Sequence, residues 1–292
     1  MEFLIAGNSD VGTVRRVNQD SLMLKKLDTV CGKLAFACVC DGMGGLQSGE
    51  VASATVLCGF ASWIDTRLPL LLRGGLKRDA VFSDWGNVVF YCNERIQRYG
   101  AENGIRLGTT LTALLLTEKE YFLVNIGDTR AYEISCKGTR LLTRDHSFVQ
   151  QETDAGRMTP EQAAVSPDRS ILTRCVGGRP EAEPDFYHGR TRRDTSYLLC
   201  SDGFRHELTV KDMQNAFASG ISSEEELSAR ELELIELNKQ RGETDNISVA
   251  VIRTATDKKP VIQKLFNGKG SECADMTVTG EIVLTDSDSI IS

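Results

Sequence analysis

The chain has 292 residues, of which 41% are hydrophobic and 26% charged, a composition typical of a globular protein and not of a disordered one. Its formal net charge is −7, and no cluster of basic residues is present, so we expect no nucleic-acid partner. The first residues lack the basic start and long apolar segment of a signal peptide. Because no segment reaches the roughly 18 apolar residues that cross a bilayer, we expect a cytoplasmic monomer with no membrane partner.

Nine cysteines are present, an odd number, and most lie inside apolar runs such as LAFACVC. No CxxC pair with the spacing of zinc ligands occurs. This pattern predicts buried, reduced thiols in a reducing compartment.

The first half of the chain alternates short apolar segments with turn residues. Segments 2–6, 20–25 and 33–40 are predicted strands, and the last runs into the glycine loop Asp41-Gly42-Met43-Gly44-Gly45. Residues 49–65 and 77–101 have the composition and spacing of helices.

The second half continues with a strand meander and one strong helix. The predicted strands cover 109–117, 121–126, 131–135, 141–142, 197–200 and 247–252, and short helical pieces are predicted near 148–156 and 160–165. Ser223 and Glu226 form a capping-box pattern at the start of a helix over 223–240. Strands joined by short hairpins and mixed with helices predict antiparallel sheets packed against helices, an α+β fold.

The composition changes after about residue 255. Residues 255–292 are rich in Thr, Ser, Lys and Asp and lack a helical period, so we predict a flexible tail outside a domain that covers 1–254. Its hydroxyl residues lie among acidic ones, which leaves open a kinase target or a partner-docking strand; these are Thr277, Thr279, Thr285, Ser287 and Ser289.

Four aspartates stand at the ends of apolar strands, beside Gly or Asn. They are Asp41, Asp128, Asp202 and Asp245. Each alone is typical of a turn, because Asp tolerates turn geometry. If three of them met about 5 Å apart, they would repel by roughly 3 kcal/mol per pair at an effective dielectric near 20. Such a cluster needs protons or cations, and oxygen ligands without Cys or neighbouring His favour Mg²⁺ or Mn²⁺.

The strand-end motifs resemble, in order, the signature blocks of the bacterial PP2C (PPM) family of metal-dependent serine/threonine protein phosphatases. The blocks are SDVGTVRRVNQDS (9–21), VCDGMGGLQSGEVAS (39–53), GTTLTALLL (108–116), NIGDTRAYEI (125–134), LTRDHSFVQQ (142–151), ILTRCVGG (171–178), LLCSDGF (198–204) and DNISVAVI (245–252). The resemblance covers residues 7–253 and implies an α-β-β-α sandwich of two antiparallel sheets flanked by helices.

The resemblance implies a centre of two, and in bacterial members three, divalent cations. Asp41 would bridge two ions, and the main-chain carbonyl of Gly42 would bind the first. Asp202 and Asp245 would hold the second, and Asp128 with Asp202 a looser third. Asp20 matches an acidic residue near the metals that supports bound water.

The expected chemistry follows from two ions about 3.5–4 Å apart, which share a water and lower its pKa from about 15.7 towards neutrality. The resulting hydroxide would attack phosphorus in line. Arg15 matches the family's phosphate-binding arginine, whose planar guanidinium grips two phosphate oxygens. The alternative for Arg15 is a surface charge.

Three features of the active-site region have open interpretations. The glycines of the DGMGG loop are interpreted as allowing close backbone approach to a metal. Bacterial relatives commonly carry a His, a candidate proton donor to the leaving group, where this chain has Leu46. We therefore expect activity on aryl phosphates to be better preserved than activity on phosphoserine. His146 is either a proton-transfer group or a structural hydrogen-bonding residue, and His188 and His206 carry no signal.

The sequence therefore predicts hydrolysis of phosphoserine and phosphothreonine on proteins, reversing a bacterial Ser/Thr kinase. Residues 147–180 match the variable flap that would select substrates. An alternative within enzymes is a phosphatase dedicated to one phosphorylated regulator. A non-catalytic pseudophosphatase that binds phosphoproteins is the alternative from another class, although such proteins usually lose one of the aspartates.

Overall fold

Two antiparallel sheets pack face to face, and helices cover the outer face of each in the computed structural model, which describes residues 1–44, 48–255 and 276–285. This arrangement confirms the α+β sandwich. None of the helices within these ranges is both long and apolar enough to cross a membrane.

The strands and helices follow one another in the order that the sequence patterns indicate. The strands are β1 (Glu2–Asp10), β2 (Asp20–Thr29), β3 (Gly32–Gly44), β4 (Leu107–Thr109), β5 (Leu111–Thr117), β6 (Glu120–Ile126), β7 (Arg130–Ser135), β8 (Gly138–Leu141), β9 (Asp185–Arg190), β10 (Ser196–Cys200), β11 (Ile247–Ala255) and β12 (Thr277–Thr285). The helices are α1 (Gly49–Thr66), α2 (Leu68–Arg73), α3 (Arg78–Asn103), α4 (Phe148–Asp154), α5 (Pro160–Ala164), α6 (Asp202–Arg205), α7 (Val210–Phe217) and α8 (Glu224–Gln240).

The first sheet has the strand order β1-β11-β10-β7-β8, and the second β12-β2-β3-β5-β6-β9 with β4 paired to β3. Strands β1 and β11, which lie far apart in sequence, meet in the first sheet, where they pair along nine residues. Segments far apart in sequence are therefore neighbours at the sheet rims.

Strand β3 is apolar on both faces because each face packs against a different core. Phe36 and Cys38 point into a core shared with α1 and α3, where Phe60, Trp63 and Trp85 pack around Phe36. The alternate residues of β3 point the other way, into the core between the two sheets. A third core lies between the first sheet and helices α7 and α8. The molecule thus has four layers and three apolar interfaces.

Strand β9 and the short helices α2, α6 and α7 were not predicted from the sequence. The capping box predicted at the start of α8 is only half formed. Ser223 Oγ accepts a hydrogen bond from the backbone N–H of Glu226, as predicted. The Glu226 carboxylate accepts from the backbone N–H of Ser222 instead of Ser223. The helix still begins where the pattern indicated.

The prediction of a flexible tail over 255–292 is wrong for two parts of it. Residue 255 ends β11, and Thr277–Thr285 form β12, which pairs antiparallel with β2. Lys25 Nζ reaches Glu281 Oε1 at 2.9 Å across this pair. Most side chains of β12 are exposed and its register shifts between Val278 and Gly280, so main-chain pairing stabilises it and its own sequence gives a weak strand pattern. Ser287 and Ser289 lie outside the described residues.

Candidate metal centre

All four strand-end aspartates line one cleft of about 260 Å³ at the rim of the sheets. Asp41 lies at the end of β3, Asp128 follows β6, Asp202 follows β10, and Asp245 precedes β11. The other lining residues are Arg15, Gln19, Gly42, Met43, Thr110, Ser170, Leu172 and Asn246. The structure thus brings together carboxylates that are up to two hundred residues apart in sequence.

Asp41 is fixed by the two threonines of the GTT block. Thr110 Oγ1 accepts a hydrogen bond from the Asp41 backbone N–H at 2.9 Å, and Thr110 N donates to the Asp41 carbonyl at 2.9 Å. Thr109 Oγ1 donates to the same carbonyl at 2.9 Å. These two threonines therefore hold the backbone of Asp41 in place by hydrogen bonds.

Asp20 is a buried carboxylate without a hydrogen bond. It lies directly opposite Asp41 in the β2–β3 pair and is 2% exposed. Both of its carboxylate oxygens are buried without a hydrogen-bond partner among the described residues. The hydroxyls of Ser201 and Ser248 lie alongside and favour the ionised form of Asp20, although neither forms a hydrogen bond with its carboxylate oxygens. Two orphaned anionic oxygens indicate a place for a cation or its bound water.

The pKa values of Asp20, Asp41 and Asp128 are raised by burial and by the charges of neighbouring carboxylates. Burial raises the pKa of Asp20 to about 7, and the nearby hydroxyls offset this in part. Burial raises the pKa of Asp41 well above its ordinary range, and the charges of Asp20, Asp202, Asp128 and Asp245 raise it further. Burial, followed by the charge of Asp202, also raises the pKa of Asp128 to about 7. A cluster in which each carboxylate opposes ionisation of the next needs positive charge to stay ionised.

Gly203 and Asn246 bring Asp202 and Asp245 together. A Cβ atom on Gly203 would overlap the carbonyl oxygen of Asn246, so the SDG turn can lie against the DN turn only when this position is glycine. Asn246 Oδ1 accepts from Gln19 N at 2.9 Å, and its Nδ2 donates to the carbonyls of Val11 and Val17. Asn246 therefore holds the loop that carries Arg15 against the centre.

Arg15 lies at the mouth of the cleft, with its side chain 54% exposed. Its Nη2 donates to Asp245 Oδ2 at 2.8 Å, and this hydrogen bond raises the pKa of the guanidinium. The loop therefore presents a cation within reach of the carboxylates.

Gly42 is constrained by neighbouring backbone, which gives this position a reason to be glycine besides the predicted approach to a metal. Its N–H donates to the Gln19 carbonyl at 3.1 Å, and a Cβ at this position would lie 2.5 Å from that oxygen and nearer still to the carbonyl of Gly49. Gly45 and Leu46 lie outside the described residues, so the structure does not bear on the missing histidine.

His146 has one of its two predicted roles, whereas His206, which was given no role, lies beside Asp202. His146 is buried and bonded, with Nδ1 accepting from Gly127 N at 3.2 Å and Nε2 3.1 Å from Asp185, which matches its structural interpretation. His188 contacts Glu120 at 2.8 Å. His206, which carried no signal, lies between Asp202 at 3.5 Å and Glu243 at 3.3 Å. Burial lowers the pKa of His146, so it is neutral at pH 7.

The donor set fits hydrated Mg²⁺ or Mn²⁺ at Asp41, Asp202 and Asp245. Among residues 1–44, 48–255 and 276–285, no three His, Cys, Asp or Glu side chains converge closely enough to form the complete ligand set of one ion. Mg²⁺-like ions keep several water ligands and need one or two carboxylates each, so a cleft lined by these carboxylates suits such ions. The orphaned oxygens of Asp20 give such waters an acceptor.

A third ion at Asp128 fits less well. Arg205 Nη2 lies 3.4 Å from Asp128 Oδ2 and also donates to the Asp128 carbonyl at 3.3 Å. A fixed cation thus already lies beside Asp128.

Comparison with known proteins identifies the family and the fold. The family model of protein phosphatase 2C matches residues 13–237, a stretch that contains Arg15, Asp41, Asp128 and Asp202. The chain belongs to the protein phosphatase 2C family. The predicted family is therefore confirmed, and with it the assignment as a protein phosphatase.

The relatives of this phosphatase are bacterial. A putative protein phosphatase 2C-type from Streptococcus pyogenes is 30% identical over 87% of this chain and 98% of its own length. The serine/threonine protein phosphatase PstP of Mycobacterium tuberculosis is 34% identical over 84% of this chain, which spans 44% of that longer protein. The solved catalytic domain of PstP, in complex with two manganese ions, is 30% identical with a TM-score of 0.71 and covers 87% of this chain and 99% of that one.

Three residues of the centre were quoted in the motifs but given no role, namely Gln19, Gly203 and Asn246, and Arg205 follows the LLCSDGF block and was not quoted. All four act through contacts to other segments, and neither their residue type nor their neighbours in sequence show those partners. For Gly203 and Asn246 a signal existed, since both stand directly beside a predicted ligand, Asp202 or Asp245.

Proposed function

We propose that this phosphatase hydrolyses phosphoserine and phosphothreonine on proteins in the cleft of Asp41, Asp202 and Asp245, with two divalent cations, Mn²⁺ or Mg²⁺. The observation that carries the proposal is the convergence of these aspartates, from three separate strand ends, on one cleft with Arg15 at its mouth. Two bound cations would supply a water of lowered pKa and positive charge that offsets the charge of the phosphoryl oxygens.

The residues of the chain divide the work of positioning. Asp41, whose backbone is held by Thr109 and Thr110, would hold both ions, and the Gly42 carbonyl would bind the first. Asp202 and Asp245 would hold the second ion, since Gly203 lets their two turns touch. Asp20 would accept hydrogen bonds from water on the ions, because its oxygens are buried and have no other partner in the described part of the chain.

Arg15 is proposed to bind the phosphate of the substrate. In the structure its guanidinium compensates Asp245. A cation on Asp245 would take over that compensation, and a side chain that is 54% exposed has room to turn towards a phosphate in the cleft.

The flap supplies the other wall of the cleft. Ser170 and Leu172 line it, and an isolated bridge between Ser147 and Leu172 fastens the flap next to His146. Substrate selection by residues 147–180 remains our proposal. Exchanging this segment for that of a relative should change the preference among phosphopeptides, and an unchanged preference would contradict it.

We further propose that its substrates are phosphorylated by a bacterial serine/threonine kinase and that it acts as a monomer in the cytoplasm. The cysteines in the described part of the chain form no disulfide, which is consistent with a reducing compartment. A phosphatase dedicated to one regulator is a narrower form of the same proposal. The pseudophosphatase alternative is disfavoured, because all four aspartates are present and line the cleft.

The deciding experiment is a phosphatase assay on phosphoserine and phosphothreonine peptides with Mn²⁺, with Mg²⁺ and with chelator. Asp202→Ala should lower the rate by about 100-fold or more, since even residues behind metal ligands are worth 10–100-fold. Asp79→Ala, on the exposed face of α3, is the matched control and should be unaffected. Turnover that persists with chelator, or an active Asp202→Ala variant, would overturn the proposal.

A further inference from the structure

The segment after Asp202 carries a buried arginine beside Asp128. Arg205 ends helix α6, and its side chain is 14% exposed. Its Nη2 lies 3.4 Å from Asp128 Oδ2 and 3.6 Å from Asp145 Oδ2. The two carboxylates it faces are themselves 6% and 7% exposed, so the contact is well shielded from solvent.

A second arginine, Arg130, pairs with Asp145, which leaves Asp128 as the carboxylate whose charge Arg205 offsets. Arg130 binds Asp145 with two hydrogen bonds, from Nε at 2.8 Å and from Nη2 at 2.7 Å. This bidentate pair satisfies Asp145. Arg205 then remains for Asp128, and the four side chains together have two positive and two negative charges.

A divalent ion at Asp128 would disturb this balance. It would bring two further positive charges beside a guanidinium that stays charged at all ordinary pH values. It would also compete for the Asp128 oxygen that Arg205 already faces, while the other predicted ligand, Asp202, has His206 3.5 Å from its Oδ2. Both carboxylates that a third ion needs thus have a basic side chain beside them.

We propose that Arg205 takes the place of a third divalent cation at Asp128, so that this phosphatase binds two ions where a third site would otherwise form. The inference rests on the proposed two-ion function and narrows it. Its structural basis is the position of the Arg205 guanidinium, 3.4 Å from Asp128 Oδ2, where it supplies positive charge to this carboxylate without any metal.

Equilibrium dialysis of the full chain against Mn²⁺, up to millimolar free ion, tests this by counting bound ions per chain. Wild type and Arg205→Lys, which keeps the charge, should bind two. Arg205→Ala should bind a third, more weakly, and Arg205→Ala combined with Asp128→Asn should return to two. A third ion in wild type that Asp128→Asn removes would overturn the inference, as would an Arg205→Ala variant that still binds two.

The count also separates this inference from the proposed function. No bound Mn²⁺ in wild type would refute the two-ion proposal itself, whereas three would refute only the role of Arg205. Thermal unfolding adds a readout that does not depend on activity. Arg205→Ala should unfold at lower temperature than wild type without ions and gain more stability from Mn²⁺, because the ion replaces the lost charge. If Arg205→Ala does not fold, Asp128→Asn decides alone: an unchanged count of two supports the inference, and a fall from three to two contradicts it.

Discussion

Asp20 and Asp41 lie directly opposite each other on strands β2 and β3. Directly opposed residues of an antiparallel pair have Cβ atoms about 4.5–5.5 Å apart, on the same face of the sheet. Two acidic residues at such a position are normally destabilising, and burial raises the pKa of both. The register of one hairpin thus places two acidic side chains where positive charge is needed, which the cations of the proposed metal centre would supply.

Asn246 is predicted to stabilise the loop that carries Arg15. Asn246→Ala removes three hydrogen bonds to residues 11–19, so the free energy of unfolding of the ion-free protein should fall by about 2–3 kcal/mol. The KM for phosphopeptides should rise because Arg15 is no longer held at the mouth. Urea titration and steady-state kinetics measure both effects. Asn215→Ala, on the exposed face of α7, should change stability by less than about 0.5 kcal/mol, and an equal loss there would sink the idea.

Two glycines should respond in opposite directions to alanine. A Cβ at Gly203 would overlap the Asn246 carbonyl, so Gly203→Ala should cost about 1–3 kcal/mol and weaken Mn²⁺ binding by separating Asp202 from Asp245. A Cβ at Gly86, inside helix α3, meets nothing within 4 Å. Gly86→Ala should therefore stabilise by about 0.5–1 kcal/mol. Chemical denaturation and metal titration of the two variants check this, and a Gly203→Ala variant with unchanged Mn²⁺ affinity would contradict it.

Glu231 is predicted to make stability depend on pH. It is fully buried on α8, where burial raises its pKa well above 4.5 and a hydrogen bond from Asn8 Nδ2 at 2.6 Å only partly offsets this. Because the folded-state pKa lies above the unfolded one, the folded state binds the proton more tightly. The resulting stability is present below pH 4.5 and is lost as the pH rises through the folded-state pKa.

Glu231→Gln keeps an acceptor for Asn8 but cannot ionise. It should be more stable than wild type at pH 8, and the difference should shrink as the pH falls towards 4.5. Denaturant titrations across this range provide the measurement, with the exposed Glu233→Gln as the control. A difference between Glu231→Gln and wild type that does not vary with pH would show that the carboxylate does not titrate as proposed.

Strand β12 is predicted to protect the edge of the second sheet. A chain that ends at Ala255 loses the pairing of β12 with residues 21–28 of β2, so alternate backbone amides of β2 should exchange hydrogen faster and the Tm should fall. The newly exposed edge should also promote aggregation. Deletion of residues 286–292 keeps β12 and is the matched control. Equal amide protection of β2 in the two truncated chains would rule out this role.

The sequence by itself determined the family, the order of most strands and helices, and the aspartates of the cleft, because each was recorded in a local pattern. A strand that ends in Asp-Gly or begins after Asp-Asn can be recognised from a few neighbouring residues. The helices over Gly49–Thr66 and Arg78–Asn103 were predicted within a few residues for the same reason.

The tertiary structure alone decided which side chains meet. Arg205 against Asp128, Asn246 against the Arg15 loop, and β12 against β2 all join segments at least 70 residues apart, and their contacts depend on strand order and register. Such contacts leave no mark on the neighbouring sequence, because the free energy that selects a residue comes from a partner brought close only by folding. The sequence could therefore predict the aspartates of the cleft, whereas the tertiary structure decided which side chains balance their charge.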